Sequence, residues 1–260
     1  HEVRGRTLGI VGYGNIGSQL SVLAESFGMR VYFYDLVDKL ALGNAKRLDT
    51  LDELLATCET ISVHVDGRAG NTGMFGAEEF ARMRPRTLFL NNARGAIFDP
   101  QALADALRSG HLAGAAVDVF PTEPKAAGDL FMSPLIGIPN VILTPHVSGS
   151  TQEAQKEIGQ YTANKLVDYV STGSTVMGVS LPQVQVAPQQ GRRVVHIHRN
   201  VPGVLANITK ALSGHDANIA FQALNTNAEV GYVVADVTSA EPGLEDVLRE
   251  IPATIRVRVL

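Results

Sequence analysis

Tryptophan is absent from this 260-residue chain, and cysteine occurs once, at Cys58. A single thiol excludes an intrachain disulfide framework and the small cross-linked folds that need one. It also suits a reducing cytosol, so the cytoplasm is the expected compartment. No apolar run approaches the roughly 18–20 residues of a bilayer-spanning helix. Charge of neither sign dominates: 22 Lys and Arg against 26 Asp and Glu leave a formal −4. No general attraction to nucleic acid or to an anionic membrane is expected from that balance. The first residue is His rather than Met, and no charged segment followed by an apolar one marks a signal peptide. The chain enters a strand within a few residues, as though cut into at its front.

What is present is a packed protein, 45% hydrophobic and 18% charged, long enough for one large domain or two ordinary ones. Short unalternating apolar runs at residues 8–11, 31–34, 61–65, 87–90, 115–119 and 141–143 predict strands buried on both faces. Between them, residues 16–27, 51–57, 77–83 and 100–109 predict helices, the last opened by Asp99 as cap and Pro100 at the first helical position. This alternation predicts an α/β fold, a doubly wound parallel Rossmann sheet over residues 1–149. A long connecting helix follows at 150–173, then a Pro-, Gln- and Val-rich extended linker at 174–191. Strands at 194–198, 219–225, 231–237 and 255–259 with helices at 204–212 and 244–250 give the order βαββαβ. That order predicts a small ferredoxin-like α+β domain over residues 192–260.

Gly12-Tyr13-Gly14-Asn15-Ile16-Gly17 is a G-x-G-x-x-G motif between the first strand and the first helix. Gly12 permits the tight turn, Gly14 lets the backbone approach a pyrophosphate, and Gly17 lets the helix pack closely. The helix start offers unpaired N–H groups and partial positive charge to the phosphates. Asp35 closes the second strand, where a carboxylate binds the two ribose hydroxyls of NAD and repels the 2′-phosphate of NADP. NAD is therefore the expected cofactor.

Three later strands end in Asn91-Asn92-Ala93-Arg94-Gly95, in Asp118-Val119-Phe120-Pro121-Thr122-Glu123-Pro124, and in Thr144-Pro145-His146-Val147-Ser148-Gly149. Strand ends of one parallel sheet face one crevice, so Arg94, Glu123 and His146 can converge. Arg94 suits a substrate carboxylate and the C2 oxygen of a 2-hydroxy acid. His146 suits the C2 hydroxyl proton. Glu123, bonded to the other ring nitrogen, would fix the tautomer of His146. Taken singly, each of the three also fits an ordinary role in a salt bridge, a loop or a cap. Cys58, His64, His111 and His215 carry no expected role, and no metal site is expected.

Together these motifs resemble those of the D-isomer-specific 2-hydroxyacid dehydrogenases, over nearly the whole chain, and specifically the serine-forming branch of the bacterial type. The resemblance implies oxidation of D-3-phosphoglycerate to 3-phosphohydroxypyruvate with NAD, by Arg94, Glu123 and His146. It implies cofactor contacts at Gly12, Gly14, Asn15, Ile16, Gly17, Asp35, Asn92, Ala93, Arg94, Asp118, His146, Val147, Ser148 and Gly149, with Asp118 facing the nicotinamide carboxamide. Its C-terminal part resembles an ACT domain, which implies an effector, L-serine, held by His198, Asn200 and Asn218 across a two-fold interface between tails, in a homotetramer. His196 is read as a structural residue.

The chain departs from the resembled pattern at four places. Val147-Ser148-Gly149 has one glycine where two are usual, Asp66 follows His64-Val65 in place of Pro, and Asn92-Ala93 precedes Arg94 in place of Ala-Ser. Gln190-Gly191 stands where paired glycines are usual, which implies a stiffer hinge. The resemblance also implies an N-terminal substrate domain of about a hundred residues ahead of this chain, so the polypeptide alone is expected to bind NAD but turn over poorly. Two other readings stay open: a glyoxylate or hydroxypyruvate reductase, and a non-catalytic sensor of NAD and an amino acid.

Overall fold

A computed structural model describes residues 2–126, 128–239 and 242–260. They form two compact units, residues 1–151 and 152–260.

The first unit is built on seven parallel strands: β1 (Thr7–Val11), β2 (Arg30–Tyr34), β3 (Lys46–Arg47), β4 (Thr60–Val63), β5 (Thr87–Asn91), β6 (Leu112–Val117) and β7 (Val141–Leu143). Their order is β3-β2-β1-β4-β5-β6-β7. Four helices connect them: α1 (Asn15–Ser26), α2 (Leu51–Thr57), α3 (Ala77–Arg82) and α4 (Pro100–Arg108). The doubly wound parallel sheet is as expected. Alternate side chains of one strand feed two cores. Leu8 and Ile10 pack with Phe33 and α1 residue Ala24. Val11 packs with Leu54, Leu55, Val63 and Phe89. Caps set the helix starts: the Thr50 hydroxyl accepts from Glu53 N–H, and the Asp99 carboxylate accepts from Gln101 and Ala102 N–H groups.

The strand order reverses between β1 and β4, and that point opens a crevice at the carboxyl ends of the strands. Strand β3 was not anticipated. It is two exposed basic residues at the sheet edge, with no apolar run to reveal it, and charge is what an edge strand tolerates.

The second unit opens with α5 (Gln152–Thr172), which has no buried residue. Then come β8 (Arg192–Arg199), α6 (Val204–Ser213), β9 (Ile219–Thr226), β10 (Val230–Val237), α7 (Leu244–Arg249) and β11 (Thr254–Val259). The antiparallel order β11-β8-β10-β9 is the expected α+β arrangement. One face of the sheet packs on α6 and α7 through Val194, Val233, Ile208 and Leu248.

Residues 174–190, within the expected extended linker, carry no helix or strand and cover the other face of that sheet. Leu181, Val184 and Val186 pack there with Val195, Tyr232 and Tyr169. A buried fork ties the parts together. Arg193 Nε and Nη2 donate to Asp236 Oδ1 and Oδ2 at 2.6 and 2.8 Å, with both side chains almost wholly buried, at 1% and 0% exposure. The same guanidinium donates to the carbonyls of Thr172 at the end of α5 and of Ala187 in the connector. Gln190 N–H completes the carboxylate. Gly191 is required here: its φ is +81°, and a Cβ would meet the Val237 carbonyl oxygen at 2.3 Å. Among the described residues no helix is long and apolar enough to cross a membrane.

Removing one partner of a buried, fully bonded ion pair costs about 3–5 kcal/mol, because the other charge is stranded. Arg193→Met should therefore lower the hydrogen-exchange protection of β8 and β10 amides by that amount. Arg249→Met, which breaks only exposed pairs with Glu245 and Asp246, should leave it nearly unchanged. Equal effects would show that the fork does not hold the unit.

Candidate active site

The glycine loop has the geometry its spacing requires. Gly12 has φ +92°, and a Cβ there would stand 2.9 Å from the His64 backbone and Val65, in the loop after β4. Gly17 is pressed on the turn, since its Cβ would meet the Gly12 carbonyl oxygen at 2.2 Å. Gly14 faces open space, with nothing within 4 Å of a Cβ, and no side chain caps the start of α1. The first-turn N–H groups, orphaned in any helix, are thus left for an anion from outside the chain. Asn15 and Ile16 are exposed beside them.

Asp35 stands opposite, at the end of β2. Its Oδ2 accepts from Tyr13 N–H at 2.7 Å and its Oδ1 from Val37 N–H at 2.9 Å. Each oxygen keeps a second lone pair, enough for two ribose hydroxyls. This set fits a dinucleotide. The unusual Asp66 folds the neighbouring loop. It takes Arg68 in a forked pair and accepts from Asn71 Nδ2, and the Arg68 bonds are the main reason its carboxyl lies down at about 2.

The loops after β5, β6 and β7 adjoin because those strands do. Asn91 is fully buried; its Oδ1 accepts from Ala93 N–H and its Nδ2 donates to the Arg94 carbonyl. That shapes the turn carrying exposed Asn92 and Arg94. Gly95 packs so tightly on the next loop that a Cβ would lie 2.0 Å from the Phe120 backbone. Phe120 N–H donates to Glu123 Oε1 at 2.9 Å, and Glu123 Oε2 accepts from His146 Nδ1 at 2.9 Å. Burial pushes the Glu123 carboxyl up, but the bonds with His146 and Phe120 outweigh it and hold it below its usual range.

Since a carboxylate can only accept, His146 carries its proton on Nδ1, which leaves Nε2 as an acceptor. Glu123 and His146 border a cavity of about 490 Å³ walled by Phe120, Phe131, Leu143 and Pro145. The guanidinium of Arg94 leans back on its own loop, with Nη1 donating to the Ala93 carbonyl at 2.6 Å, and its aliphatic stem packs beside Gly67.

Asp118 does not stand open to a ligand as expected. It is 2% exposed and already accepts from Thr144 Oγ1, Val147 N–H and Ser148 N–H. The Val147 and Ser148 amides are thereby committed within the chain. Tyr13, Asn91 and Thr144 lie inside the motifs, but nothing in the sequence assigns them the hydrogen bonds that shape these loops.

In the second unit the three predicted effector residues do not meet. His198 on β8 pairs with Gly231 on β10, and Gly231 pairs onward with Thr226 at the end of β9. Asn218 precedes β9 at its other end, beside Val237, about 20 Å away along the strands. His198 Nδ1 donates to the Arg199 carbonyl, while its Nε2 is buried with no partner. Asn200 Nδ2 donates to the Asn227 carbonyl, and Asn218 is exposed. His196 is buried against Thr254; burial above all, then the nearby His198, presses it down to about 4, so it is neutral. Among the described residues no cluster of three or more His, Cys, Asp or Glu could hold a metal ion.

Residues 1–148 match the D-isomer specific 2-hydroxyacid dehydrogenase, NAD binding domain, and the chain belongs to that family. Residues 194–258 match the AHAS small subunit-like ACT domain. Among curated proteins the chain is similar to the D-3-phosphoglycerate dehydrogenase of Escherichia coli (strain K12), 50% identical over 100% of this chain and 64% of that protein. The Haemophilus influenzae protein of the same name is 48% identical over the same shares. The chain thus spans somewhat less than two thirds of the length of these relatives. Among solved structures, a glyoxylate reductase from Paecilomyes thermophila superposes with a TM-score of 0.58 at 32% identity, over 66% of this chain and 52% of that one.

The open face of Gly14 sets a prediction. Gly14→Val should keep the fold, judged by circular dichroism, yet weaken NADH binding at least tenfold by calorimetry. Gly17→Val should instead unfold the first unit. A Gly14→Val protein that binds NADH normally would remove the glycine loop from the cofactor site.

Proposed function

We propose that this chain is the cofactor-binding and regulatory part of a dehydrogenase that oxidises D-3-phosphoglycerate to 3-phosphohydroxypyruvate, the opening step of L-serine synthesis, under feedback by L-serine. The observation that carries the reading is the His146–Glu123 bond of 2.9 Å, at the sheet edge that also carries the glycine loop. The relatives named D-3-phosphoglycerate dehydrogenase and the ACT domain support this substrate over glyoxylate or hydroxypyruvate.

Each residue has a chemical task in this reading. Arg94 grips the substrate carboxylate with paired N–H groups and draws charge onto the C2 oxygen. His146 Nε2 takes the C2 hydroxyl proton as the carbon–oxygen double bond forms. Glu123 stabilises the imidazolium so made and keeps Nδ1 protonated throughout. NAD, held by Gly12–Gly17, Asp35 and the neighbouring loops, supplies the acceptor for the hydride leaving C2. In reduction the imidazolium returns the proton. His146→Gln in the full-length protein should cut kcat by about 10²- to 10⁴-fold while NADH affinity holds. Retained turnover would sink the dehydrogenase reading, and lost NADH binding would sink the assigned role of His146.

The effector site takes two copies of the tail in this reading. His198 Nε2, a bare buried acceptor, suits the ammonium of an amino acid, and Asn200 its carboxylate. Asn218, at the far end of its own sheet, is supplied by a second chain of the homotetramer. Asn200→Ala and Asn218→Ala should each abolish serine binding in the full-length protein. Co-assembled, the two variants should regain a fraction of wild-type sites, since some interfaces then carry both asparagines. Absence of any recovery would place the effector within one chain.

A further inference from the structure

His146 is one of four non-glycine residues, among those described, with positive φ, at +53°. That region crowds the Cβ of an L residue against its own backbone. It persists only where the surroundings over-determine it. The segment around His146 lies beyond the end of β7, where ladder hydrogen bonds have stopped.

One carboxylate holds that segment from both sides. Thr144 Oγ1 donates to Asp118 Oδ1 at 2.6 Å, two residues before His146. Val147 N–H donates to the same oxygen at 3.0 Å, one residue after it. Ser148 N–H donates to Oδ2 at 3.0 Å. Asp118 is itself buried, 2% exposed just past the end of β6. Burial alone would push its carboxyl up, but the Thr144, Val147 and Ser148 donors reverse this and hold it down at about 2, so it is ionised. Its neighbour on the same loop, Glu123, accepts from the imidazole.

We propose that Asp118 is a positioning residue, a clamp that fixes the left-handed backbone of His146 and so delivers the ring Nδ1–H to Glu123. The two carboxylates of the β6 loop divide the work. Asp118 sets the main chain of the segment, and Glu123 sets the ring. Thr144 supplies a side-chain donor of the clamp, which substitution can remove without touching Asp118. The importance of the clamp rests on His146 being the proton carrier, but its existence does not, and it is tested without turnover.

The test reads the tautomer of His146 in the ligand-free chain, by long-range proton–nitrogen correlation at a pH where imidazole is neutral, with assignment from His146→Gln. Wild type should show the Nδ1–H form. Asp118→Asn, which can no longer accept all three donors, should revert to the Nε2–H form favoured by free imidazole. Thr144→Val should shift part of the population the same way, and Thr144→Ser should restore the wild-type spectrum. An unchanged tautomer in Asp118→Asn overturns the proposal, above all if NADH affinity falls at the same time, because the carboxylate would then serve the cofactor directly. Should Asp118→Asn fail to fold, the Thr144 pair decides: no difference between valine and serine overturns it equally.

Discussion

Side-chain acceptors bound to backbone N–H groups hold the ligand-facing edge of the parallel sheet in shape. Where a strand ends, its ladder stops and the next amides lack partners. Here a carboxylate or amide oxygen meets them at each turn: Asp35 takes Tyr13 and Val37, Asn91 takes Ala93, Glu123 takes Phe120, and Asp118 takes Val147 and Ser148. Each such bond to a charged acceptor is stronger than a neutral one. The side chains that would face a ligand therefore stand on loops ordered before any ligand arrives. That pre-organisation lowers the cost of binding and of chemistry alike.

The same economy holds in the loop after β4. Asp66 stiffens it by bonds to Arg68 and Asn71. A single glycine at 191 suffices because only that position needs both a positive φ and the absence of a Cβ. The connector before it is bonded down through Arg193, Gln190 and Thr175. The connector thus belongs to the sheet it leads into.

Much of this was legible in the sequence, because apolar period and glycine spacing are local. The run 51–57 coincides with α2, and short apolar runs mark six of the seven parallel strands, with ends off by at most three residues. The motif Gly12–Gly17 specified its own turn. What stayed hidden depends on partners far apart in the chain. Asp118 reads as a ligand contact until its donors, 26 to 30 residues away, are seen. The fit of Gly95 against Phe120 and the buried fork of Arg193 with Asp236, 43 residues apart, are equally silent. Strand β3 had no apolar signal at all. The separation of Asn218 from His198 follows from sheet order, which no single segment encodes.

The docking of α5 on the sheet behind it has a mechanical consequence. Its last turns are fastened at Tyr169, Thr172 and Gly173 by Arg258, Arg193 and Tyr232, while none of its residues is buried. A helix of 21 residues spans about 30 Å, so it is a rod held at its last turns. A tilt of a few degrees where it is clamped becomes a travel of a few ångströms at Gln152. A small adjustment at the antiparallel sheet thus reaches the start of the rod magnified.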